Sequence, residues 1–129
     1  MEYALYARTH LDGIIALCKA EGWTSLPANV ARAHRVLTAP GVTTVVALDD
    51  GAVAGFCYLQ SDGEIQAHLS NLVVARARRR RGIGSRLLQL GLEEAGGLRI
   101  DLVTEDREDF YSALGHRRMA GFRIYPPFA

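Results

Sequence analysis

The chain has 129 residues, 49% of them hydrophobic and 22% charged, and a formal net charge of +1. That composition fits one globular domain spanning residues 1–129 and excludes a disordered or fibrous chain. Six of the 15 Lys and Arg stand in "ARARRRRGIGSR" (75–86), so the other nine face 14 acids; this argues against a broad nucleic-acid-coating surface and favours a small anionic ligand.

"EYALYAR" (2–8) reads as a first strand, and Thr9 is the expected cap of a helix through "HLDGIIALCKAEGW". Leu11, Ile14, Ile15 and Leu17/Cys18 have helical spacing there. "PANVARAHRVLTA" predicts a second helix from Pro27 that stops near Pro40-Gly41. "VTTVVAL" and "VAGFCYLQ" flank "DDGA", where Gly51 can take a positive φ, and form the clearest hairpin. "SDGE" (61–64) repeats the device and leads into "IQAHLSNLVV" (65–74), giving three antiparallel strands in succession. Ile83, Leu87, Leu90 and Gly91 then recur at helical spacing, with Leu88, Leu92 and Ala95 widening the apolar face. This buried helix begins at "GIG" and ends at Gly96-Gly97. "LRIDLVT" (98–104) predicts a strand, "REDFYSALGH" (107–116) a short helix closed by Gly115, and "RRMAGFRIY" a last strand before "PPFA". The order β-αα-βββ-α-β-α-β implies a mixed α+β sheet covered by helices.

Cys18 and Cys57 sit singly in apolar surroundings and read as buried thiols. His10, His34, His68 and His116 are scattered without metal-ligand spacing, so no metal is expected. The chain carries no signal-peptide pattern and no apolar run of about 18 residues, so no membrane partner is expected and the predicted location is cytoplasmic.

Residues 79–85 carry the chemistry. In a strand–turn–helix unit, glycines let backbone N–H groups converge where the helix N-terminus adds partial positive charge, and phosphate oxygens fit there. Neighbouring arginines add charge-assisted hydrogen bonds. A dinucleotide fingerprint would need a third glycine where Leu87 stands, and GxxxxGK[ST] is absent.

Arg79-Arg80-Arg81-Gly82-Ile83-Gly84 resembles the coenzyme A signature of the GCN5-related N-acetyltransferases (GNAT): Arg or Gln, two free positions, Gly, one free position, then Gly or Ala. The resemblance continues in "NLVV" before the loop, "GSRLLQL" after it, and "LVTEDREDFYSALGH", with Phe110, Tyr111, Leu114 and Gly115 in register. It covers nearly the whole chain. It implies the family's fold, a central mixed sheet of six to seven strands with about four helices. It also implies transfer of an acetyl group from acetyl-CoA to a primary amine, by direct attack in a ternary complex.

By the same resemblance, Leu72, Val73 and Val74 form the pantetheine edge and carbonyl donor, while Arg79, Arg80, Arg81, Gly82, Ile83, Gly84 and Ser85 cradle the diphosphate. Tyr111 matches the family's general acid and also borders the cofactor. His68 stands where some relatives place a catalytic glutamate, and its ordinary pKa near 6.5 suits proton removal. Glu64, Glu105 or water are the alternatives. Simple alternation places His68 on one face with Gln66, Ser70, Leu72 and Val74. Many relatives have an Asn after the fifth strand, whereas this chain has "EDRED" (105–109), which reads either as a solvated helix start or as a cation site through Glu105. Trp23 lies where the family walls its acceptor pocket, and both substrate stacking and helix packing fit it. Arg76 and Arg78 read as solvating the approach to the loop, with contact to the cofactor's 3′-phosphate as the alternative.

The acceptor is open: a small-molecule amine, a peptide N-terminus or a protein lysine. Homodimers are common among such proteins. Two other readings stand beside the enzyme, a non-catalytic CoA-binding module on the same fold and a nucleic-acid contact through "RARRRR". The glycines and helix start favour an anionic cofactor over nucleic acid.

Overall fold

The structure, a computed structural model, describes residues 1–127; Phe128 and Ala129 lie outside the described residues. Five strands, β1 (Glu2–Leu5), β2 (Val42–Asp49), β3 (Ala52–Ser61), β4 (Gln66–Val74) and β5 (Arg99–Asp101), form one sheet in sequence order. The first three pairings are antiparallel and β4–β5 is parallel. The hairpin at "DDGA" forms as expected. Asp50 and Gly51 take φ of 50° and 84°, the left-handed pair that matches the strands' twist in a two-residue turn.

Helices α1 (Leu11–Ala20) and α2 (Val30–Leu37) cover one face of the sheet, and α3 (Ile83–Ala95) covers the other. On the first face Ile14, Cys18 and Leu37 pack with Val46, Phe56 and Val73. On the second, Ile83, Leu87 and Leu88 pack with Val45, Ala47, Cys57, Leu59, Ala67 and Leu69. Phe56, Ile14, Leu59 and Leu87 are fully buried, each contributing about 1.5–3 kcal/mol of apolar transfer free energy. Both cysteines are free and buried, as their apolar surroundings imply. Among the described residues no helix is long and apolar enough to cross a membrane.

Two helix starts differ from expectation. A single 3-10 turn, Arg8–His10, precedes α1, so His10 and not Thr9 is the residue before the helix, with the Ala7 N–H donating to His10 Nδ1 at 2.9 Å. The second helix begins after Asn29 instead of at Pro27, because Asn29 Oδ1 accepts the Arg32 N–H at 3.0 Å and so satisfies one of the orphan donors of the first turn.

The C-terminal part departs further. β5 has three residues, not seven, and "RRMAGFRIY" forms no strand, so the sheet has five strands instead of six to seven. From Ser112 to Pro127 every residue is exposed, including Phe122 at 87%. The last helix, α4 (Glu108–Ser112), is too short to cover a further strand. Without apolar burial, nothing offsets the entropy of ordering that segment into the sheet.

Candidate active site

β4 and β5 pair only from Gln66 to His68 against Arg99 to Asp101. Beyond that point neither strand has a partner on the facing edge. Leu69–Leu72 and Leu102–Thr104 instead line a cleft of about 800 Å³. The Trp23–Leu26 segment, Glu105, Asp106, Arg107 and Tyr111 complete its walls, with Gly121, Phe122, Arg123 and Tyr125 from the C-terminal segment.

A bulge in β4 sets which side chains reach this cleft. Tyr58 pairs with Asn71 and Leu59 with Leu69, which leaves Ser70 as the extra residue. Ala67 and Leu69 face α3, and past the bulge Leu72 and Val74 do so too, while Val73 turns to the α1–α2 face. This corrects the simple alternation that put His68 on one face with Leu72 and Val74. Gln60 Nε2 donates to Ser70 Oγ at 3.2 Å, and Asn71 Nδ2 donates to the Ser70 carbonyl at 2.8 Å, so the bulge is held from both sides.

The glycine loop lies at the end of β4. A 3-10 turn, Arg76–Arg78, leads through Arg79, Arg80 at φ 65° and Gly82 at φ 79° into α3. A Cβ on Gly82 would meet nothing within 4 Å, so the glycine serves the backbone conformation and leaves open space at the helix start. No side chain caps α3 and no acid stands in its first turn. The N–H groups of Ile83, Gly84 and Ser85 therefore face that space with the helix's partial positive charge behind them. This cradle fits a phosphate. Gly84 does something different from what its place in the signature suggests, since its missing Cβ admits the Phe110 ring.

The arginines of residues 75–86 divide into paired and free. Arg76 and Arg79 bond Glu21, Arg78 bonds Asp49, and Arg86 bonds Gln89. Arg76 and Arg78 are thus held by acids and are not simply solvating. Among the described residues Arg80 and Arg81, both exposed and both beside Gly82, have no acidic partner.

Tyr111 projects from α4 into the cleft, its ring edge-on to Phe110 at a centroid distance of 5.0 Å. Burial, reinforced by the nearby Cys57 thiol, pushes its phenol up to about 12 against the opposing charge of Arg107. The group therefore keeps its proton at neutral pH. Trp23 and Glu105, both singled out from the sequence, line the same cleft, and Leu72 lines it from β4. His68 does not. It is exposed and borders a separate cavity of about 600 Å³ with Val36, Gly41, Gln60 and Asp62, so the structure does not bring it together with Tyr111. Glu64 lines neither cavity.

Sequence reasoning missed Glu21, Asn71 and Arg107. Glu21 is 58 residues from Arg79 and 86 from Arg107, and no local pattern signals contacts at such separations. Arg107 was legible only as the start of a helix.

A family model described as "Acetyltransferase (GNAT) domain" matches residues 40–118, and the chain belongs to the GNAT acetyltransferases. Among solved structures, the aminoglycoside N-acetyltransferase AAC(6')-Iy in complex with CoA is 17% identical, covers 99% of this chain and 100% of its own, and superposes with a TM-score of 0.79. The apo aminoglycoside 6'-N-acetyltransferase AAC(6')-IG of Acinetobacter haemolyticus is 14% identical, with coverage of 100% and 99% and a TM-score of 0.82. A GNAT-family acetyltransferase of Streptococcus pneumoniae TIGR4 is 25% identical, with coverage of 97% and 98% and a TM-score of 0.74. No curated protein matches the chain.

Proposed function

We propose that the chain is an N-acetyltransferase that moves an acetyl group from acetyl-CoA to a primary amine by direct attack in a ternary complex, with residues 1–129 acting as one domain. The observation that carries this is the parting of β4 from β5 beside an uncapped, glycine-entered helix start. The cleft offers strand edge at Leu69–Leu72 for a pantetheine arm, and the helix start beyond β4, whose residues do not themselves line the cleft, offers backbone N–H groups with Arg80 and Arg81 for a diphosphate. Neighbours of the same fold include an enzyme solved with CoA, which supports the same cofactor here.

The reaction asks three things of the chain. A lysine-like amine, with a pKa of about 10.4, is mostly cationic at neutral pH and must give up a proton before its nitrogen attacks the thioester carbonyl. The carbonyl oxygen gathers negative charge and needs a donor, for which the backbone around Leu72–Val74, paired with β3 but past the end of the β5 ladder on its other edge, is the candidate. As the carbon–sulfur bond breaks, the departing thiolate takes a proton, and Tyr111 holds one at the cleft wall. Glu105 and Asp106 are the carboxylates placed to draw in a cationic amine, and Trp23 offers an aromatic wall for it. Because His68 borders the other cavity, the base role passes from it to Glu105 or to water.

The acceptor we favour is a small, multiply charged amine, in keeping with the acids in the cleft and with fold neighbours named as aminoglycoside acetyltransferases. The test is release of free CoA thiol from acetyl-CoA across a panel of aminoglycosides, polyamines, amino acids and peptides. Thiol release with at least one amine, saturable in both substrates, is expected. CoA binding with no release for any amine would instead assign a non-catalytic CoA-binding module.

A further inference from the structure

Glu21 ends the first helix and directly precedes Gly22 and Trp23 of the cleft wall. Its carboxylate collects three guanidiniums, two from the connection between β4 and α3 and one from the start of α4. Arg76 comes from the turn after β4 at 3.5 Å, Arg79 from the glycine loop, and Arg107 from the start of α4 at 3.4 Å. Asp106 also approaches Arg107, at 4.0 Å, so three guanidiniums meet two carboxylates and the cluster keeps a net positive charge. The layering is informative. Glu21 is only 11% exposed, whereas Arg76, Arg79 and Arg107 are 79%, 30% and 45% exposed, which puts the carboxylate beneath and the guanidiniums towards solvent. Arg79 is further fixed by donating Nε–H to the Val74 carbonyl at 3.0 Å. Burial by itself would raise the Glu21 carboxyl, but Arg79 and Arg76 more than offset it and hold it below the usual carboxylate value, so it is ionised at neutral pH.

We propose that Glu21 is a positioning residue that organises Arg76, Arg79 and Arg107 into a preformed anion-binding face and ties that face to the Gly22–Leu26 wall of the acceptor half. The inference rests on the acyl-CoA reading and adds a residue outside the family signature. Three long, flexible side chains with like charge would otherwise disperse into solvent, and the binding of a phosphate chain would bear the cost of gathering them. A carboxylate that merely occupied the anion's place would lie on the solvent side of the guanidiniums, where CoA could displace it; Glu21 lies on the other side. The shared anchor also links the two halves of the cleft, since the group holding Arg79 is two residues from Trp23.

The test uses the full chain with Glu21→Gln, which keeps the size and loses the charge. CoA binding is measured by calorimetry, acetyl-CoA is varied in steady-state assays, and the single Trp23 reports the acceptor wall by fluorescence. The variant is expected to bind CoA about 10-fold more weakly, equivalent to about 1.4 kcal/mol, and to show a raised KM for acetyl-CoA with kcat at saturation kept within about threefold. Arg107→Gln should raise the same KM in the wild-type background and add nothing in the Glu21→Gln background. CoA-dependent change in Trp23 fluorescence should be lost. A purely packing role would lower stability and leave the KM of the folded fraction unmoved. Equal or tighter CoA binding by Glu21→Gln overturns the proposal. If Glu21→Gln does not fold, Glu21→Asp carries the test alone, with a raised KM expected and an unchanged KM overturning it. Wild-type protein that binds no CoA overturns the acyl-CoA reading and this inference together, which distinguishes that failure from the failure of Glu21 alone.

Discussion

Gly84 lies directly against Phe110: a Cβ built on Gly84 would stand 3.2 Å from Phe110 Cζ. The first turn of the cofactor-loop helix is therefore in contact with the residue before Tyr111. Alanine at position 84 asks Phe110 to yield by a few tenths of an ångström, and α4 is short and half-exposed enough to do so, while helix propensity returns about 1 kcal/mol. Gly84→Ala should leave stability within about 1 kcal/mol of wild type by urea unfolding. Gly84→Leu should push Phe110 and Tyr111 aside and lower turnover by about 10-fold or more while far-UV circular dichroism stays unchanged; equal turnover for the two variants would break the link.

Tyr111→Phe removes the phenolic proton and little else from the cleft. If Tyr111 protonates the departing thiolate, kcat should fall by about 100-fold or more, in the usual range for a general acid, while the Kd for CoA stays within about twofold. Unchanged turnover in the thiol-release assay would reduce the residue to packing.

Gly91 packs α3 onto the sheet through the absence of a side chain. A Cβ there would come within 2.5 Å of Leu59 Cδ1 and 3.2 Å of Cys57 Sγ, and both of those residues are fully buried. Overpacking costs about 1–3 kcal/mol and helix propensity returns about 1, so Gly91→Ala should destabilise by up to about 2 kcal/mol. A thermal midpoint several degrees lower in calorimetry is the expected reading. A rise would mean that Leu59 repacks freely.

Burial raises the Cys18 thiol to about 11 and the Cys57 thiol to about 12. Native protein at pH 8 should therefore react slowly with a disulfide reagent, Cys57 more slowly than Cys18, since Cys18 also lines the cleft. Acetyl-CoA and acceptor together should slow Cys18 further. The unfolded chain ionises its thiols near 9, so this part of the stability is complete below about pH 9 and is lost as pH rises through about 11 and 12. Urea midpoints should fall across that window, and Cys57→Ala should flatten the fall.

The parts of the fold that came out of the letters are those fixed by local chemistry. "DDGA" turns because Gly51 and Asp50 take positive φ, and α3 starts and stops at its glycines because Gly82 and Gly96 do the same. The apolar spacing of Ile83, Leu87 and Gly91 placed that helix on the core. The last strand failed for the complementary reason. "RRMAGFRIY" alternates well enough to suggest a strand, yet alternation cannot say whether another layer exists to bury its apolar side, and here none does.

The sequence by itself determined the glycine loop. Its signature is contiguous, and a glycine's backbone freedom and a helix's terminal N–H groups are properties of a few adjacent residues. Tertiary structure decided which residues share the cleft. The extra residue Ser70 in β4 reverses the facing of everything after it, and a bulge is set by pairing with β3, not by its own letters. That reversal parts Leu72 and Val74 from the face of His68, which borders a second cavity, while the end of the β4–β5 ladder opens the first beside Tyr111 and Glu105. Glu21 reaches Arg79 and Arg107 because packing of α1 on the sheet brings its last turn to the loop, a matter of long-range geometry that no short stretch of sequence encodes.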